Sequence, residues 1–129
     1  MKDYYDIAFD ERARILHIST NGFWSLAVTT MFSADLLARG TAIRIRHGTF
    51  CTLADLRKAP IQPLPVIDAL AAMMPKALKL TSAPIAAVAG SSLAKLQTER
   101  YLVGPNCRTF LSHDEAVAWL AEASLPVRA

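Results

Sequence analysis

Short runs of β-forming residues alternate along this chain with segments whose apolar positions recur at helical spacing, and that alternation constrains the fold more than any other feature. Strands that alternate with helices are joined by right-handed crossovers, which builds a largely parallel sheet. The 129 residues suit one compact domain spanning 1–129 and are too few for two of ordinary size. At 53% hydrophobic and 19% charged, the chain can fill a core and lies outside the range of disordered sequences.

Tyr5–Phe9 and Arg14–Ser19 are rich in β-formers, and the polar Asp10-Glu11-Arg12-Ala13 between them predicts an antiparallel hairpin. Thr20-Asn21-Gly22 breaks the second strand. Ser25 then caps a long helix expected over residues 25–47, with Val28, Phe32, Leu36 and Ile43 on one face. Inside it, Thr41–His47 alternates apolar and polar between Gly40 and Gly48, so a strand competes there. An Asp35–Arg39 pair at i,i+4, the ridge reaching Ile43, and Gly48 at a C-cap position favour the helix.

Thr49–Leu56 reads as a central strand. Pro60, Pro63 and Pro65 mark a stiff loop, followed by a helix carrying Val66, Leu70, Met73 and Met74 that Pro75 should kink or break. Pro84–Ala89 is the next strand, and Gly90-Ser91-Ser92 caps a helix over residues 93–102 that buries Leu93 and Leu96. Cys107–Leu111 makes a short fifth strand. Ser112 and Glu115 form a capping box for the last helix, whose apolar face is Ala116, Trp119, Leu120 and Ala123 and which Pro126 stops. The order β-β-α-β-α-β-α-β-α specifies an α/β fold with a mixed five-stranded sheet, mostly parallel, opened by an antiparallel hairpin.

Several function classes drop out. Cys51 and Cys107 have no second Cys or His nearby, which removes zinc and redox motifs; if the fourth strand lies between theirs they are too far apart to bridge, and both are expected to be buried thiols. His17, His47 and His113 show no metal-ligand spacing, so no metal and no cofactor is expected. The longest strongly apolar stretch, Ala83–Gly90, is far short of the ~20 residues a membrane span needs. The acidic, polar start, Met1-Lys2-Asp3-Tyr4-Tyr5-Asp6, lacks the features of a targeting segment, which points to the cytoplasm. A net charge of +3 is too small to imply a nucleic-acid partner.

One ordered set of segments is more specific. Gly22-Phe23-Trp24 before a long helix, Leu53-Ala54-Asp55-Leu56-Arg57, Ala86-Ala87-Val88-Ala89-Gly90-Ser91, and Phe110-Leu111-Ser112-His113-Asp114-Glu115-Ala116-Val117-Ala118-Trp119-Leu120 together resemble the SpoIIAA-like proteins, relatives of the STAS domain. The resemblance covers nearly the whole chain and implies strands in sequential order, with strand and helix repeating as a superhelix. In its anti-sigma factor antagonist branch, a Ser at the start of the helix after the third strand belongs to the kinase-binding surface. Here Asp55–Val66 contains no Ser or Thr, so the scaffold is what resembles, and no phosphorylation site carries over. The chain looks closer to uncharacterised stand-alone bacterial members of the superfamily than to that branch.

Two places are candidates for contact with a partner or ligand. Asp55 ends a parallel strand, where α/β sheets place ligand-contacting groups, and Arg57 and Lys58 beside it suit an anion; the competing reading is that Asp55 pins the following loop. Ser91 and Ser92 follow Gly90 at a strand-to-helix turn, where backbone N–H groups attract phosphate or carboxylate, although a plain helix cap is the commoner use. No Gly-x-Ser-x-Gly, Gly-x-Gly-x-x-Gly or Walker sequence is present, and no catalytic residue is nominated.

Trp24 with Phe23 is either a partner anchor or a staple for the first helix. The resulting expectation is a non-enzymatic regulatory or interaction module that binds a protein, or a second copy of itself as a homodimer, around Asp55, Arg57 and the proline-rich loop. The alternative is a binder of a small apolar ligand or lipid. An apolar cavity lined by Leu70, Met73 and Met74 would favour the ligand binder, and an exposed apolar patch over a filled core the interaction module.

Overall fold

A computed structural model describes residues 3–128, with side chains through Ala123. Its elements run β1 (Tyr5–Asp10), β2 (Ile15–Asn21), α1 (Leu26–His47), β3 (Cys51–Lys58), α2 (Leu64–Leu78), β4 (Ile85–Ala89), α3 (Ser92–Tyr101), β5 (Cys107–Phe110) and α4 (His113–Arg128). The five strands lie in the order β1-β2-β3-β4-β5. β1 pairs antiparallel to β2, and every other neighbouring pair is parallel.

The hairpin forms because Asp10 Oδ1 accepts from the N–H groups of Arg12 and Ala13, while Arg14 takes a left-handed φ of 56°. Register then sets the two faces. Leu16, Ile18 and Thr20 point to the side covered by α1 and α2; His17 and Ser19 point to the other, where α4 covers only the β3–β5 half of the sheet. Rather than ending at Ser19, β2 continues to Asn21 through a register shift and turns at Gly22.

The larger core packs Ile7, Leu16 and Ile18 of the sheet against Val28, Phe32 and Leu36 of α1 and Val66, Ile67 and Leu70 of α2. Trp24 is a staple rather than an anchor: it is buried, with its ring 5.9 Å from that of Tyr5 and 5.0 Å from that of Phe32. The smaller core lies on the opposite face, where Ala116 and Leu120 of α4 cover Leu53, Ala86, Val88 and Phe110. Burying a side chain of Leu or Phe size contributes about 1.5–3 kcal/mol, so these two clusters are the main source of stability.

Residues 41–47 are helix, as the Ile43 ridge and the cap argued: Gly48, at φ 81°, donates its N–H to Arg44 O. Asp35 and Arg39 do not serve as a mutual pair. Asp35 Oδ2 accepts from Tyr5 Oη at 2.5 Å, and an Arg39 guanidinium nitrogen donates to Ile7 O at 2.6 Å. The third strand begins at Cys51, not Thr49, because its ladder to β2 starts opposite Ile15, and Phe50 before it turns into the core.

Other expectations are corrected by how the helices seat. α2 runs unbroken through Pro75, since both Pro75 and Ala71, whose carbonyl loses its partner, face solvent. α4 likewise continues past Pro126 to Arg128. In α3, Leu93 and Leu96 are 65% and 63% exposed; the face turned inward is Ala94, Gln97, Thr98 and Tyr101, spaced i, i+3, i+4, i+7. No disulfide joins Cys51 to Cys107, and both are half-buried rather than buried, Cys107 with its thiol pKa raised by desolvation.

Candidate functional site

The C-terminal ends of the parallel strands and the N-termini of α1, α2 and α3 share one end of the molecule. Asp55, nominated from sequence, is half-buried near the end of β3. Arg57 grips it from two residues on: Nε donates to Oδ1 at 2.9 Å, an NH2 to Oδ2 at 2.8 Å, and the Arg57 backbone N–H to Oδ1 at 3.1 Å. These bonds hold the Asp55 carboxyl below its ordinary pKa even though partial burial acts the other way, and half-buried His113 adds to the effect. Much of the carboxylate's capacity is thus spent inside the protein.

Beside this pair lies a polar pocket of about 210 Å³, walled by Ser19, Asn21, Asp55 and Lys58, with Tyr5 and Thr20. Burial, with Asp35 accepting a hydrogen bond from its hydroxyl, pushes the Tyr5 phenol up to about 12.

Ser91 and Ser92 stand apart from that pair. Ser91 Oγ accepts from Ala94 N at 3.1 Å as the α3 cap, and Ser92 is exposed as the first helical residue. Gly90 just before them has a steric role, since a Cβ there would sit 2.8 Å from Arg57 O. β3 and β4 can end side by side only because position 90 is bare.

The proline-rich loop is tied down by an amide latch. Gln62 Oε1 accepts from Trp24 N at 2.8 Å, and Gln62 Nε2 donates to Gly22 O and Pro60 O. The Gln62 backbone exchanges two 2.8 Å hydrogen bonds with the Gln97 side chain, Gln62 N–H to Oε1 and Gln97 Nε2 to Gln62 O. Three segments are therefore fastened together: the one before α1, the one before α2, and α3. They carry large apolar side chains in solvent, with Phe23 67% exposed, Leu64 56% and Ile61 39%, alongside Leu93 and Leu96.

Behind the latch, between the sheet and the helices α1, α2 and α3, lies an apolar cavity of about 110 Å³. Its wall includes Leu70, Met73 and Met74 of α2, Ala54 of β3, and Thr20 of β2. A smaller space of about 40 Å³ adjoins it and reaches Gln62 and Gln97. Thr81 and Thr98, also on the wall, donate their hydroxyls to Phe50 O and Ala94 O. Thr20 Oγ1 is buried and makes no hydrogen bond. Among the described residues, no cluster of three His, Cys, Asp or Glu side chains could hold a metal ion, and no helix is long and apolar enough to cross a membrane.

The fold built from these elements has counterparts among solved structures. An uncharacterised protein of the DUF3478 family from Shewanella loihica PV-4, described as having a SpoIIAA-like fold, superposes with a TM-score of 0.66 at 14% identity over 91% of this chain and 94% of its own. The fold is SpoIIAA-like. An anti-sigma factor antagonist from Mycobacterium paratuberculosis shares this SpoIIAA-like fold at TM-score 0.61 and 15% identity, covering 94% of this chain and 97% of that one. The unphosphorylated anti-sigma factor antagonist SpoIIAA does so at TM-score 0.58 and 7% identity, covering 91% and 97%. No protein-family model and no curated protein sequence matches the chain.

Within the SpoIIAA-like fold, Asp55–Val66 supplies the end of β3, the latch loop and the first turn of α2, and it has no hydroxyl side chain. Sequence reasoning missed the latch. Its signal was present, since Gln62 is the single polar side chain in Pro60-Ile61-Gln62-Pro63-Leu64-Pro65. The orphaned Thr20 hydroxyl had no such signal, because only packing decides whether a strand threonine finds a partner.

Proposed function

We propose that this chain is a non-enzymatic regulatory or interaction module of SpoIIAA-like fold, whose protein-binding surface is the latched end carrying Phe23, Ile61 and Leu64. The observation that carries the reading is the exposure of these side chains on segments that Gln62 holds rigid. Large exposed apolar groups on a preorganised frame suit the anchors of an interface, because little ordering entropy remains to be lost on binding. Asp55, Arg57 and Lys58 would form the polar rim. No phosphorylatable side chain in Asp55–Val66 takes part, which separates this mode from the Ser switch of the anti-sigma factor antagonists.

The test compares the proteins retained from cell extract by immobilised wild type and by the double variant Phe23→Ser, Leu64→Ser. Loss of one or more retained species, with the melting temperature unchanged within 2 °C, supports the reading; identical retained sets sink it.

A second reading, a small apolar-ligand binder, rests on the cavity, whose walls include the three residues Leu70, Met73 and Met74 that distinguish it from a filled core. Native mass spectrometry of protein purified without detergent should reveal a mass increment that organic extraction removes. A bare-mass spectrum, joined to no thermal shift with apolar probes, counts against it.

A further inference from the structure

Building on the ligand-binding reading, we infer that the cavity between the sheet and α2 takes an uncharged molecule of about one ring's size bearing a single hydrogen-bonding group, which pairs with Thr20 Oγ1. Size comes first. An apolar cavity of about 150 Å³ holds one benzene. Here the main space is about 110 Å³ and its neighbour about 40 Å³, so the occupant has a six-carbon body and little more. A long acyl chain does not fit.

Charge comes second. Neither space is walled by any Lys, Arg, His, Asp or Glu. An ionised head group would lose its hydration with no counter-charge to replace it, which excludes carboxylates and amines in their charged forms.

The third argument is the hydroxyl. Buried polar groups in folded proteins nearly always have partners, and an unpartnered one asks for an explanation. Thr20 lines both spaces, and its Oγ1 is buried and unpaired, whereas the hydroxyls of Thr81 and Thr98 on the same wall are engaged. Once Thr20 turns about χ1 toward the space, a phenolic or short-chain alcohol hydroxyl would complete it, with the ring or alkyl body against Leu70, Met73 and Met74. The small space under Gln62 and Gln97 gives a route in from the latched end.

Phenol and toluene test this because they have the same shape and differ only in OH against CH3; benzoate supplies the charged control. Each is titrated into 15N-labelled wild type, Thr20→Val and Thr20→Ser, and dissociation constants are read from amide shifts. Expected is binding of phenol and toluene, none of benzoate, and about five-fold weaker phenol binding in Thr20→Val, the size of one net hydrogen bond, with toluene unweakened. Thr20→Ser, which keeps the hydroxyl, should hold phenol within two-fold. If neither phenol nor toluene binds, the ligand-binding reading itself fails. If toluene binds but phenol is unaffected by Thr20→Val, or benzoate binds as well as phenol, the cavity reading survives and the Thr20 inference is refuted. Should Thr20→Val fail to fold, a nuclear Overhauser effect between bound phenol and the Thr20 methyl decides the case in wild type, its absence refuting the inference.

Discussion

Replacing Ala54 by Val adds two methyl carbons to the cavity from the stiffest part of its wall. Ala54 sits in the third strand, paired with Ile18 on one side and Ala87 on the other, yet it keeps partial exposure because it borders the cavity. Each carbon newly buried there contributes about 0.8 kcal/mol, roughly 1.6 kcal/mol for two. Fixing the valine rotor returns about 0.5 kcal/mol of this, and the β-branched side chain suits a strand, so the net gain is about 1 kcal/mol. Unfolding entropy near 2.1 cal/mol/K per residue, taken over the 129 residues, converts this to a rise of about 4 °C in melting temperature. Scanning calorimetry of both proteins measures it, and a parallel pair of scans in saturating toluene should show a smaller ligand-induced rise in the variant, whose cavity is partly filled. A fall of 3 °C or more would show that no room exists beside Ala54 and would refute the cavity on which the argument stands.

Three further outcomes are expected. Gly90→Ala should lower stability by about 1–3 kcal/mol in urea titrations with the m-value unchanged, because its Cβ would lie 2.8 Å from the backbone oxygen of Arg57 and the strands must part to admit it. Gln62→Ala removes three side-chain hydrogen bonds and strands the Trp24 N–H; hydrogen exchange at that amide should speed up at least ten-fold while amides of the fourth strand keep their protection. Because the Asp55 carboxyl is held below its ordinary pKa in the folded state, its contribution is present above the unfolded value near 4 and is lost as pH falls through the lowered one, so Asp55→Asn should flatten the acid limb of the stability curve below about pH 4 and leave its slope near pH 7 unaltered.

Much of the architecture was legible because it is written in local terms. The Asp10–Ala13 turn, the Ser25 and Ser112 caps and the glycine after residue 47 each act within a few residues, and all operate at or within two residues of where the sequence places them. Local reasoning failed where a distant surface decides. Leu93 and Leu96 have helical spacing, but α3 turns its other stripe to the sheet, a choice set by Gln97 reaching Gln62 and Thr98 facing the cavity. Proline in α2 and α4 likewise costs a helix less than local rules suggest: at Pro75, at least, the orphaned carbonyl belongs to an exposed residue. The candidate site divides along the same line. Asp55 and Arg57 are two residues apart and could be paired on paper, whereas the contact of Gln62 with Trp24 spans 38 positions.

The bond from Arg39 to Ile7 O has a further consequence for assembly. In the first hairpin, Tyr4 O bonds inward to Asn21 N, so by alternation the Ile7 carbonyl points away from the second strand, toward the open margin of the sheet. A guanidinium parked on that carbonyl obstructs strand addition at the margin. Two copies of this chain would meet more readily through helices, the latched end or the β5 margin, and an aggregate would find a blunted backbone ladder at β1 on which to start.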